Sequence, residues 1–263
     1  MFPYYMPYDS NQALKFIKSI DLTGIPRAIV AQDAGKEAGE IFDQAKKQAQ
    51  VVGSAVFSFA QGVTAEVREA ISDSALLAQL LANKKAPVEE FPLEWFKAYS
   101  EVLQNVGWTI QESAWTDYTA NGTGIEVHEK IVEVMAVVLG PAPGALAMIT
   151  STVTALKALN PSTSWITIFS REAQKAKIAR FQIGLVEKDK AGDIFVSLVA
   201  YLVQAQSAIT QVLFFKFKQS NATLQAKSAK VSINRSSLKD LGPAIRSKIR
   251  VYQADYLSSI LNL

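Results

Sequence analysis

Reactive side chains are scarce in this chain. His128 is its one histidine and cysteine is absent. Disulfides, thiolate metal sites, cysteine nucleophiles and acylation on sulfur are therefore excluded. A metal held by His128 would need carboxylates for its remaining ligands, and no H-E-x-x-H spacing supplies a second imidazole. Glu126 and Glu129 stand at i−2 and i+1, which on a continuous helix puts neither beside His128. A serine hydrolase of the elbow type needs G-x-S-x-G, which is missing. His128 reads as a helix-surface or core residue.

Anion and nucleic-acid chemistry fare no better. There is no Walker A and no G-x-G-x-x-G. "NGTG" (Asn121 to Gly124) precedes a helix whose free N–H groups could hold an anion, but two glycines there also make an ordinary turn. The carboxylate pairs Glu89–Glu90 and Asp189 with Asp193 fall in loop-like text, whereas a glycosidase needs two carboxyls set across a cleft. In "VLFFKFK", Leu213, Phe215 and Phe217 share one face and Lys216 and Lys218 the other, as on a sheet lying on a core. A net charge of +3, from 27 basic and 24 acidic residues, leaves no footprint for nucleic acid. Lys46–Lys47 and the Arg246, Lys248, Arg250 series read as solvated helix faces. No metal and no catalytic cofactor is expected.

The elements that would position any site follow from periodicity. With 49% hydrophobic and 19% charged residues the chain can bury a sizeable core, and 1–263 reads as one domain. "MFPYYMPYDS" lacks the basic and apolar regions of a secretory signal and reads as an N-terminal arm, 1–10. Residues 34–160 read as mainly helical. The first helix, from about Ala34, carries Ile41, Ala45, Val52, Val56, Phe59 and Val63 on one stripe. A second runs from Glu66 to about Asn83 and stops at Pro87. A third carries Phe96, Tyr99, Leu103, Val106 and Ile110, and a fourth begins near Ile125. The period then changes. "RFQIGLV" alternates as a half-buried strand, "EKDKAGD" is a turn, and Ile194 to Val203 reads as a central strand. "TQVLFFKFK" and "ATLQAKSAKVSI" follow, and 179–263 closes with a helix bearing Leu241, Ile245, Ile249, Tyr252, Tyr256 and Ile260, capped by Ser236 or Ser237. The expectation is an α+β fold: a predominantly helical first part, an antiparallel meander of about four strands around 179–234, and a closing C-terminal helix.

The most apolar stretch is Ile131 to Leu159, divided by "GPAPG". As helices its arms would be about 14 and 23 Å long, short of a hydrocarbon core of about 30 Å. The second arm sets Leu146, Ile149, Val153 and Leu156 against Thr150, Ser151, Thr154 and Lys157, and the first carries Glu133, a costly group in lipid. The stretch reads as a helix hairpin buried in a core, with a membrane-inserting hairpin and an oligomer interface as alternatives. Val134, Val138, Leu146, Ile149 and Val153, with Val199 and Tyr201 of the central strand, are the candidates to line a cavity for an acyl chain, since apolar pockets need few polar groups.

"DIFVSLVAYLVQAQSAITQVLFFKFK", with its helical prelude and closing helix, resembles the Erwinia virulence factor family in order of elements over the second half of the chain. That resemblance implies a soluble bacterial protein mixing helices with antiparallel strands and carrying a fatty acyl group in an apolar tunnel. The family's acyl chain sits on a cysteine, so here the resemblance implies a ligand held noncovalently. The function expected is that of a non-enzymatic virulence- or toxin-type protein that binds a fatty acid or phospholipid, or acts at membranes through the hairpin. An enzyme with a carboxylate or Ser/Thr site assembled only in three dimensions, and a structural protein forming homo-oligomers, are the other readings.

Overall fold

The computed structural model describes residues 9–27, 41–86, 92–118, 126–209, 222–233 and 235–263. The first eight residues, Glu89–Glu90, "NGTG" and "TQVLFFKFK" lie outside them. Asp9 opens α1 (Ser10–Ser19), its carboxylate accepting from the N–H groups of Asn11 and Gln12 at 2.9 and 3.4 Å. The helical stripe through Ile41, Val52, Val56 and Phe59 does not form; β1 (Gln48–Val52) and β2 (Ala55–Phe59) make an antiparallel hairpin instead. Gly53 turns it at φ +52°, where a Cβ would meet Gln79 Oε1 at 2.3 Å. Both strands are buried on both faces, so the alternation of Gln48 and Gln50 with Ala49 and Val51 does not mark a solvent face.

α2 (Ala65–Lys85) matches the helix expected from Glu66. α3 (Pro92–Asn105) buries Phe96, Tyr99 and Leu103. Gly107, at φ +91°, ends that stripe, and Ile110 belongs to β3 (Trp108–Glu112) rather than to the helix. After β4 (Thr116–Tyr118), "GPAPG" separates α4 (Val127–Leu139) from α5 (Pro143–Ala158) as expected, with Pro143 in the first turn. α6 (Ser164–Ala173), an element not expected above, buries Trp165, Ile166, Ile168, Phe169 and Ala173 on one stripe. β5 (Gln174–Lys175), β6 (Ile178–Lys188), β7 (Ile194–Gln204) and β8 (Thr223–Ile233) follow. α7 (Arg235–Ile249) begins before Ser236 and Ser237, which sit in its first turn and do not cap it. α8 (Gln253–Tyr256) and β9 (Leu261–Asn262) end the chain.

The strands form one sheet in the order β3-β8-β7-β6-β2-β1-β9, with β4 on β8 and β5 on β6. Among the described residues every pairing is antiparallel except β2 with β6, so the fold is α+β, with a sheet wider than the expected meander because the early hairpin joins it. α1, α2, α3 and α7 cover one face and α4, α5 and α6 the other. β6 is consequently buried on both faces, not half-buried: Phe181, Ile183 and Leu185 point to the second layer, while Arg180, Gln182 and Gly184 lie under the first. Gly184 is required there, since a Cβ would stand 2.6 Å from the Phe57 ring.

Glu187 sits part-buried near the end of β6, opposite Phe195. Burial strips hydration from its carboxylate and raises its pKa. A raised folded-state pKa means the charged form opposes folding. That opposition is absent below the ordinary carboxylate range and grows as pH rises through the shifted value. Glu187→Gln is expected to raise the melting temperature at about pH 7 and leave it unchanged at about pH 3. Equal shifts at both pH values would assign the gain to packing alone.

Candidate functional site

The helix hairpin carries its charge at one end. Glu126 precedes α4 in extended conformation, and its N–H donates to Glu129 Oε2 at 3.0 Å. Because Glu126 lies outside the helix, its carboxylate turns onto His128 Nδ1 at 3.1 Å, the contact that helical i−2 spacing had excluded. The same oxygen faces Lys157 Nζ, at the far end of α5, at 3.7 Å. Lys130 and Glu133 pair at 2.5 Å. Residues 134–156, the remainder of the hairpin and its turn, contain no charged residue.

The hairpin's inner face is almost wholly apolar. α4 buries Val127, Ile131, Val134 and Met135; α5 buries Ala145, Met148, Ile149, Thr152, Val153 and Leu156. Side-chain hydrogen bonds also cross to the sheet. Tyr201 donates its hydroxyl to Ile131 O at 3.3 Å, and burial keeps that phenol protonated by raising its pKa well above the ordinary value. Ser58 and Thr152 meet with their hydroxyl oxygens 2.7 Å apart. Thr152 gives its single proton to Met148 O at 2.9 Å, so Ser58 is the donor between them.

Val134, Ile149, Val153, Val199 and Tyr201 come together in one buried cluster, where Tyr201 stacks on Phe181 at 5.0 Å. Val138 and Leu146 lie half-buried near the turn. Sequence reasoning missed the neighbour that faces solvent: Val137 is 73% exposed on the outer face of α4. Pro141 and Pro143 are exposed beside it. None of the seven candidates lines the groove of about 800 Å³ between α2 and α7, whose apolar floor is Val67, Ala70, Leu238 and Pro243.

The opposite layer is built differently. α2 buries Arg68, Ser72, Asp73, Ser74 and Gln79 against the sheet and its neighbours. Arg246 is exposed, as a solvated helix face requires, and is also paired: it binds Asp73 at 2.9 Å and Glu69 at 2.7 Å, and Gln253 donates to the same Asp73 at 2.8 Å. Lys248 likewise donates to the carbonyls of Lys18 and Ile20 at 3.0 and 2.7 Å. Asp189 serves the β6–β7 turn, accepting from the Asp193 N–H at 2.8 Å. Among the described residues no group of three His, Asp or Glu side chains could hold a metal ion, and no helix is long and apolar enough to cross a membrane.

No family model and no curated protein matches this sequence. Solved structures are similar to it at low scores, among them three toxin or virulence proteins. A delta-endotoxin aligns over 68% of this chain and 79% of its own, with 14% identity and a TM-score of 0.41. The activated Cyt2Ba monomer of Bacillus thuringiensis subsp. israelensis aligns over 47% and 72%, with 16% identity and a TM-score of 0.30. The Evf virulence factor aligns over 96% and 91%, with 10% identity and a TM-score of 0.33. At such scores the chain's own side chains must carry the functional reading.

Proposed function

We propose that this is a non-enzymatic, toxin- or virulence-type protein that acts on lipid bilayers by releasing the α4–α5 hairpin from the sheet. The observation that carries this reading is the contrast between the two helical layers. The α2 layer is fastened by buried ions and amides that would be costly to expose to lipid. The hairpin is held by aliphatic side chains, and hydrocarbon is as good a neighbour for these as the sheet is. Its backbone groups are satisfied within the helices, which lipid requires. Thr152 keeps its bond to Met148 O when the hairpin leaves.

With 13 and 16 residues the helices are about 20 and 24 Å long. They are too short to span the bilayer and suited to lying in its interface, with the uncharged turn leading and the charged end in the headgroups. An acyl ligand between hairpin and sheet would require the same separation, because the candidate lining residues pack on one another.

Val137 is the side chain already in position to meet lipid. Val137→Glu leaves the core untouched and is expected to weaken sedimentation with phosphatidylcholine and phosphatidylglycerol vesicles by about tenfold, equivalent to ~1.4 kcal/mol. Wild-type protein that neither sediments with these vesicles nor releases a trapped dye would remove the proposal.

A further inference from the structure

Among the described residues Arg180 is buried without a carboxylate partner. On the α2–α3 side of β6, its Nη1 donates to Ser54 Oγ at 3.0 Å and its Nη2 to Asn83 Oδ1 at 2.7 Å, while the guanidinium lies 3.4 Å over the Trp95 ring. Glu172, whose charge reaches it, is already bound to Arg171 at 2.6 Å. Desolvation lowers the pKa of Arg180 to about 9, so the group is still cationic at neutral pH and burdened by its surroundings.

The neighbours of Arg180 add further unmatched donors. Gln182, two residues along the same face of β6, is fully buried and has no acceptor for Nε2. Tyr99, 2% exposed and stacked on Trp95 at 5.2 Å, has no partner for its hydroxyl. Arg180 Nε is also without an acceptor. Each of these orphaned atoms carries a proton to donate, and the Arg180 guanidinium adds a positive charge. Tyr99 and Gln182 both line a cavity of about 20 Å³ between α3 and the sheet, enough for one particle of the size of water or a halide. Glu112 stands in its wall, but that carboxylate is neutralised by Lys227 and also accepts from Ser100 at 2.5 Å.

We propose that this cavity binds one small monovalent anion of halide size, gripped by the Tyr99 hydroxyl and the Gln182 amide, with Arg180 supplying the balancing charge. A water molecule could accept the same two protons, but it would leave the buried cation unanswered. A cavity of about 20 Å³ favours a halide over sulfate or an organic anion, so the site selects by radius as well as by sign.

Thermal unfolding in sodium chloride and in sodium gluconate at matched ionic strength separates specific binding from general screening. The melting temperature is expected to climb with the logarithm of chloride concentration and to stay flat in gluconate. Tyr99→Phe, which removes one oxygen, should flatten the chloride slope, and Gln182→Leu should do the same if it folds. In crystals soaked in bromide, an anomalous peak should appear beside Tyr99 Oη and Gln182 Nε2. Superimposable melts of the wild type in the two salts would overturn the site, as would density for a water with no anomalous signal.

Discussion

Replacing Arg68 by methionine is expected to lower folding stability by roughly 3–5 kcal/mol. Arg68 is fully buried, and its guanidinium gathers four oxygens from three segments. Nε donates to Val63 O at 2.9 Å, Nη1 to Gln48 Oε1 at 2.6 Å, and Nη2 to Lys46 O at 2.9 Å and Ala60 O at 3.0 Å. The aromatic rings of Phe42 and Phe59 stand 6.0 and 5.7 Å from it. One side chain thus fixes the entry to β1, the exit from β2 and the start of α2. Desolvation opposes the charge, lowering its pKa to about 10. Methionine relieves that opposition and keeps most of the volume, but it takes a donor from all four oxygens: Gln48 Oε1 and Ala60 O keep the N–H groups of Asp43 and Val63, while Val63 O and Lys46 O lose a bond at about 1–3 kcal/mol each. The losses exceed the relief. Urea unfolding that differs from wild type by less than about 1 kcal/mol would show that the connecting segments hold without Arg68.

Neither buried arginine was legible in the sequence. In "EVREA" and "IARFQ" the arginines read as the polar side of an amphipathic element, because only the tertiary fold lays a second layer over that side. The hairpin of β1 and β2 escaped for a related reason. Val52 to Val56 and Phe59 to Val63 are separations of four, which suit one turn of helix and two repeats of strand equally. The discriminating signal was the Gly-Ser pair at 53–54, a two-residue turn between β-branched and aromatic runs. Where burial was one-sided or punctuation unambiguous the reading was accurate. "GPAPG" gave the limits of α4 and α5, and the run from Ile194 gave β7. For the candidate site, the sequence supplied the apolar inner face, including Val134, Ile149 and Val153. It could not show that Val137 faces outward, which depends on how α4 rolls against the sheet, nor that Glu126 joins the two ends of the hairpin, which depends on its lying outside the helix in extended conformation.

A disulfide between positions 58 and 152 is expected to suppress dye release from vesicles by at least tenfold, equivalent to ~1.4 kcal/mol in the barrier. The hydroxyl oxygens of Ser58 and Thr152 lie 2.7 Å apart across the interface of β2 and α5. That separation is compatible with the Cβ spacing of about 3.5–4.5 Å that a disulfide needs. The chain has no cysteine of its own, so in Ser58→Cys/Thr152→Cys the introduced thiols have no native competitor. Oxidised, α5 is bonded to the sheet and the hairpin cannot leave, while Val137 and the turn remain exposed. Vesicle sedimentation should therefore survive in part while permeabilisation stops. Reduction cleaves one bond without altering the sequence, and the reduced protein serves as its own control for any loss of stability caused by the two substitutions. Recovery of release on adding a reductant would tie membrane action to movement of the hairpin. Equal release by the oxidised and reduced forms would mean that the protein acts on bilayers with the hairpin still seated, through the exposed turn alone.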